Sequence, residues 1–232
     1  MTITFITGAN KGLGHETARR LVEYGHTVLL GARDPQAGRA AAAALGARFV
    51  QIDVTDEVSV AEAAADVLEH EGKIDVLINN AGIFGPMVDP AILTAADVAA
   101  VLDVNVVGVV RATTAFLPLL RKSTDPAIVN VGSGMGSLEL THDLSRAEAH
   151  AIVPGYTASK AALTMLTTQY AKGIPDIRIN VADPGYTATD LNGNSGPQTV
   201  TEGTDAIVKL ATEGPGHGSG RLVDRHGETT WG

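Results

Sequence analysis

Ile3-Thr4-Phe5-Ile6-Thr7-Gly8-Ala9-Asn10-Lys11-Gly12-Leu13-Gly14 begins as a short apolar strand, turns on three glycines and runs into a stretch with helical periodicity from about 13 to 24. Glycine lets the backbone turn tightly and approach another group closely, because no Cβ stands in the way. The helix that follows offers unpaired amides and positive potential at its first turn. In isolation such a turn is as readily a structural corner as a ligand site. The pattern around it decides.

Outward from this turn the chain alternates. Ile3 to Thr7, Thr27 to Ala32, Arg48 to Asp53, Val76 to Asn79, Ala127 to Val131 and Ile177 to Ala182 read as short apolar strands. Helical stretches lie between them at about 13–24, 36–45, 57–70, 95–121 and 156–172. Apolar strands alternating with helices imply right-handed crossovers and an α/β fold, a doubly wound parallel sheet with helices on both faces. In such sheets ligands bind outside the carboxyl ends of the strands. A glycine turn after the first strand of such a chain is a strong signal for a bound dinucleotide. Its spacing is G-x-x-x-G-x-G, not the commoner G-x-G-x-x-G.

Composition narrows the class. The 232 residues are 44% hydrophobic, with no Pro/Gly/Ser-rich linker and no internal repeat, so one domain spanning 1–232 is expected. Against 17 bases stand 26 acids, a formal charge of −9 that argues against nucleic acid or an anionic membrane as partner. The absence of Cys excludes disulfide and thiol chemistry and is compatible with a reducing cytoplasm, the expected location. Met1 leads straight into a strand, so no signal peptide is expected, and no apolar run is read as long enough to span a membrane. The seven His have no metal-ligand spacing. Ser133 lacks the G-x-S-x-G elbow of a hydrolase.

Further along, Tyr156-Thr-Ala-Ser-Lys160 places a phenol and an ammonium on one helix face. A nearby cation stabilises phenolate and lowers the Tyr pKa from about 10, so Tyr156 can serve as a proton donor near neutral pH. Asp53-Val54 ends the third strand, Asn79-Asn80-Ala81-Gly82 the fourth, Asn105 lies in a helix, Ser133 follows the fifth strand, and Pro184-Gly185 with Thr187 follows the sixth.

Taken together with the glycine turn, these residues resemble the short-chain dehydrogenase/reductase family over nearly the whole chain. Gly8-Ala-Asn-Lys-Gly12 and Gly31-Ala-Arg-Asp34 are most similar to its NADPH-dependent carbonyl reductase branch. The resemblance implies a Rossmann-like fold and hydride transfer between NADP(H) and a small-molecule carbonyl or alcohol. It assigns Ser133 to the substrate carbonyl, Tyr156 to proton transfer, Lys160 to the Tyr pKa and the nicotinamide ribose, and Asn105 to a proton-relay water. It gives the cofactor Gly8, Asn10, Lys11, Gly12, Leu13 and Gly14 in the turn. Asn80, Ala81 and Gly82 would pack on its riboses, and Asp53 beside Val54 would meet the adenine, although Asp53 also reads as a helix cap. Pro184-Gly185 would turn over the nicotinamide, with Thr187 near its phosphates or carboxamide. A homo-oligomer, dimer or tetramer, is implied.

Three departures stand out. Gly132 occupies a position where relatives often carry a hydroxyl. Residues 134–155 are longer than the shortest family spacing and predict an added lobe at the substrate mouth; since relatives with larger insertions here can be monomers, a monomer is the alternative assembly. Leu191 to Thr199 is trimmed and rich in Gly, Asn and Ser, which suggests a mobile lid within a substrate-side loop at about 188–199. Two other functions share the fold: an extended-type sugar epimerase or dehydratase, and a non-catalytic dinucleotide sensor.

For cofactor choice, enzymes that use NADH place an acid at the end of the second strand. Gly31-Ala32-Arg33 puts a neutral residue there and an arginine beside it, and Lys11 approaches from the glycine turn. Asp34 precedes Pro35 and so reads as a helix cap. NADP(H) is the expected cofactor.

Overall fold

The computed structural model describes residues 1–231. Three parallel crossovers build its first half: β1 (Ile3–Ile6), α1 (Gly12–Glu23), β2 (Thr27–Ala32), α2 (Pro35–Leu45), β3 (Arg48–Gln51), α3 (Glu57–His70) and β4 (Val76–Asn79). A long helical run follows as α4 (Ala95–Leu102), a π turn (Asp103–Val107) and α5 (Gly108–Leu120), leading to β5 (Ala127–Val131). The inserted segment holds the short α6 (Leu138–His142), and α7 (Pro154–Gly173) leads to β6 (Arg178–Ala182). The chain ends with α8 (Val200–Gly203), α9 (Asp205–Thr212), β7 (Leu222–Asp224) and β8 (Gly227–Thr229).

The sheet order is β3-β2-β1-β4-β5-β6-β7-β8, parallel throughout except for β8. Chain order reverses between β1 and β4, which opens a crevice at their carboxyl ends. Strand periodicity divides the core into two layers. Ile6, Val76, Ile78 and Val129 face α1, α2 and α9, while Phe5, Leu77, Ile128 and Ile179 face α3 and α5. Phe5 stacks on Phe116 of α5 with ring centroids 4.4 Å apart. Each such buried side chain is worth about 1.5–3 kcal/mol, whereas an exposed pair such as Arg19–Glu23 is worth about 0–1, so packing sets the sheet.

Two findings differ from the sequence expectation. The terminal strands β7 and β8 and the helices α6, α8 and α9 go unread because most are three to five residues long, too short to display a period. Ala95–Leu120 is, by length and composition, apolar enough to cross a membrane, contrary to the expectation that no run reaches that length. Here it packs against α3 and α7 and buries Val101, Val109, Ala112, Phe116, Leu119 and Leu120 inside the protein.

Candidate active site

A cleft of about 600 Å³ runs along the carboxyl ends of β1 to β6, within the range of small-molecule and cofactor sites. At its β1 end the wall is mostly backbone. Gly8 and Gly12 take φ of +63° and +56°, a region that disfavours side chains. A Cβ at Gly14 would stand 2.5 Å from Asn80 Nδ2 and 2.6 Å from the Gly8 carbonyl, so only glycine lets α1 start there. Asn80 fastens this turn to β4, its Nδ2 donating to the Thr7 and Gly8 carbonyls at 2.9 Å. Thr7 Oγ1 in turn accepts from the Asn80 and Ala81 amides at 3.0 Å.

Helix starts around the cleft differ. Asp34 caps α2 through the Gln36 and Ala37 amides, and Asp56 caps α3 through Val58 and Ser59. No side chain caps α1, which has no acid in its first turn and begins on the cleft wall. Unpaired amides beside Lys11 and Arg33 suit a phosphate-bearing ligand. Arg33 Nε lies 3.9 Å from Asp53, and Lys11 Nζ lies 3.4 Å from Asp190 in the 188–199 loop.

The β5–β6 end is built from side chains. Tyr156 and Lys160 lie one turn apart near the start of α7, both buried. The Lys160 ammonium donates to the Val131 carbonyl at 2.8 Å and sits 5.4 Å from the centre of the Tyr156 ring. Ser133 accepts from the Met135 amide at 3.2 Å, and its hydroxyl is near enough to the Tyr156 phenol to favour the ionised form. Phe84 covers the other side of that phenol, ring centroids 4.6 Å apart. Burial pushes Tyr156 up to about 12, against the Ser133 hydrogen bond and with the Asp183 charge. Burial also pushes Lys160 down to about 8, and Asp183 opposes it. Burial thus works on Tyr156 in the direction opposite to the lowering expected from Lys160.

Most residues expected at the cofactor do line the cleft: Gly8, Asn10, Lys11, Gly12, Leu13 and Gly14 from the turn, Arg33, Asp53 and Val54, then Asn80, Ala81, Gly82, Tyr156, Lys160 and Pro184. Gly185 and Thr187 do not. Thr187 is buried, donating to the Pro184 carbonyl and to Gln198, and Thr189 takes the place on the wall. Asn105 lies in the π turn, its Nδ2 bonded to the Ile83 carbonyl and Ser159 and its Oδ1 to the Ile83 amide. That amide ties three segments together with both its donors taken, which leaves one acceptor site of Oδ1 for the relay water expected of it. The 188–199 loop carries a 3₁₀ turn at Asp190–Asn192 and a bridge from Thr187 to Gln198. Sequence reading passed over Phe84, Thr189, Asp190 and Asp183. An acid directly after a buried strand and before Pro-Gly was the available signal for Asp183.

The family model described as short chain dehydrogenase matches residues 2–199. The chain belongs to the short-chain dehydrogenase family. A short-chain dehydrogenase of Penicillium roqueforti is 36% identical over 96% of this chain and 93% of its own. A (+)-neomenthol dehydrogenase of Capsicum annuum is 30% identical over 89% and 90%. The NADPH-bound carbonyl reductase from chicken fatty liver superposes with a TM-score of 0.87, with 26% identity and 99% of each chain covered. As a short-chain dehydrogenase the protein is an oxidoreductase that binds a nicotinamide dinucleotide and acts on CH–OH or C=O groups of a small molecule. The residues present fit that cofactor: the glycine turn leaves no side chain over the uncapped amides of α1, and a Cβ at Gly12 would meet nothing within 4 Å.

Proposed function

We propose that the protein is an NADPH-dependent carbonyl reductase. The observation that carries this reading lies at the end of β2. Arg33 stands on the cleft wall with its side chain 80% exposed, and Asp34, the one acid that could serve a ribose hydroxyl there, is turned into the α2 cap. A guanidinium suits a 2′-phosphate, and a free acid would repel one. Lys11 lines the same cleft from the glycine turn. The likeness to the NADPH-bound carbonyl reductase points the same way.

In this reading the bound nicotinamide supplies the hydride, and the chain supplies orientation and a proton. Ser133 and Tyr156 converge as a hydroxyl pair on the substrate oxygen. A phenol at about 12 still yields its proton downhill to an alkoxide, whose conjugate acid lies near that of water, about 15.7. At neutral pH the phenol carries its proton, the form that carbonyl reduction consumes. Lys160 holds positive charge beside the phenolate that remains, and Asn105 keeps the Ile83 backbone and α7 in register.

Cofactor choice tests the reading. Each charge-assisted bond to a phosphate is worth about 1.5–3 kcal/mol, so Arg33→Ala should cut the NADPH:NADH ratio of kcat/KM by on the order of tenfold or more. Wild-type preference for NADH, or a ratio unaltered in Arg33→Ala, would overturn it.

A further inference from the structure

Arg111 is an arginine that α5 turns inward. Its side chain is 19% exposed, and its Nε is shut away from solvent without a hydrogen-bond partner, with Glu57 Oε1 standing 4.0 Å off. An arginine on a helix surface ordinarily keeps its head in water. Leaving a buried donor unpaired costs stability, so the guanidinium is held there by what its other end does. At that end a single nitrogen, Nη1, donates to Asp103 Oδ1 at 2.9 Å and to the Val54 carbonyl at 3.2 Å.

Both acceptors belong to segments that wall the cleft. Val54 follows β3, Val104 stands next to Asp103 in the π turn, and each lines the cavity. Ile83 lines it too, held at its amide and carbonyl by Asn105 of the same turn. Gly108 brings α5 up against Val54 one turn before Arg111: a Cβ there would stand 3.0 Å from Val54 Cγ2 and 3.2 Å from the Val54 carbonyl oxygen. One face of α5 thus grips Val54 twice, at its side chain and at its carbonyl. Asp103 opens the π turn and Arg111 lies 8 residues on, so their pair also spans that turn. Such turns are rare inside α-helices and concentrate at functional sites. Arg111 itself is not on the wall; it is the joint between two segments that are.

A dinucleotide in this fold carries its 2′-hydroxyl or 2′-phosphate at the end of β2, and β3 is the next strand in the sheet. Val54 therefore meets the purine when Arg33 meets the phosphate. We propose that Arg111 is a positioning residue for the cofactor, holding Val54 and the π turn in place as the wall against which the adenine ring packs. The placement of the adenosine half rests on the cofactor reading above. Arg33 tells a phosphate from a hydroxyl, whereas Arg111 acts on the ring that NADP(H) and NAD(H) share, so its loss weakens both alike.

The test is calorimetric titration of Arg111→Met with adenosine 2′,5′-bisphosphate and with adenosine 5′-monophosphate. Both dissociation constants should rise by about three- to tenfold, the scale of one net hydrogen bond, with the ratio between them unaltered. Arg111→Lys, which returns a cationic donor, should recover most of the loss. In the free protein, hydrogen exchange at 54–58 should quicken in Arg111→Met while that of α7 holds. With NADPH and a carbonyl substrate, KM for the cofactor should rise and kcat stay within about twofold. Unchanged affinity for both nucleotides overturns the proposal, as does a loss confined to the bisphosphate or a fall in kcat with KM unaltered. A wild type that binds the monophosphate more tightly than the bisphosphate overturns the NADPH reading alone. If Arg111→Met does not fold, nitrogen NMR of the wild type answers instead. The buried Arg111 Nε–H, assigned by its loss in Arg111→Lys, should shift when adenosine 5′-monophosphate is added, and a signal that stays in place overturns the proposal.

Discussion

Asp34, Asp53 and Asp56 at the β1–β4 end of the cleft and Asp183 at the β5–β6 end are the same residue put to opposite uses. Asp34 and Asp56 cap helices within three residues of themselves. Asp53 is held below its ordinary value because burial, which raises it, is outweighed by two hydrogen bonds from Thr55 and by Arg33. Asp183 is raised, buried behind a turn that two other segments press upon. One end of the cleft satisfies its charges locally and presents backbone to the ligand. The other assembles its charges from distant segments and presents titratable side chains. On the proposed reading the first end mainly binds and the second transfers the proton, so changes in the two ends should fall on different kinetic constants.

Tyr156→Phe gives the sharpest break between them. It removes the proton donor, keeps the ring that packs on Phe84, and leaves the glycine turn untouched. Turnover should fall by about 10²–10⁴-fold, with cofactor affinity by fluorescence titration held within about twofold. Retention of most turnover would remove the second end's claim to the chemistry.

Gly14→Ala is the counterpart at the first end. The added methyl would meet Asn80 Nδ2 and the Gly8 carbonyl, both fixed by the bonds that tie the turn to β4. The turn must open, at a cost of about 1–3 kcal/mol, read as a lowered Tm and weakened cofactor binding. In the residual cofactor-bound protein kcat should change little. A collapse of kcat at saturating cofactor would show that the two ends are not separable.

The same contrast explains what could be read from the chain. Asp34 before Pro35, the glycine spacing and the strand at Val76–Asn79 are local patterns, and the structure bears out each as a cap, a turn and a strand. Thr187 was expected on the wall because it follows Pro184-Gly185, but its hydroxyl is taken up by Pro184 and Gln198 and its side chain is buried. That Asn105 also bonds Ile83 and Ser159, far off in sequence, is not legible from its own neighbours. The nearness of Lys160 to Tyr156 could be judged from spacing, but the burial that raises Tyr156 depends on how α7 packs against β6 and the Gly134–Gly136 turn. Local hydrogen bonding is written in neighbouring residues; desolvation is a property of the whole fold.

The smallest expected effect comes from the inserted segment, which touches the second end alone. Its start is tied to the chain terminus, with the Leu138 amide donating to the Trp231 carbonyl at 2.9 Å and Thr230 to Glu139 at 2.5 Å. Leu138 and Leu144 are exposed on it as apolar surface. Replacing 138–146 by a short Gly-Ser link that spares Glu148 removes that surface and Arg146 while leaving the glycine turn, Arg33 and the α1 amides as they are. KM for an apolar carbonyl substrate should rise by about tenfold or less, the scale of one lost apolar contact, with the cofactor dissociation constant unchanged. Equal losses in both constants would mean that the segment holds the sheet end together, and the division of the cleft would fail at its weakest point. A change confined to assembly, seen by light scattering with KM unaltered, would move the segment from substrate recognition to contact between copies.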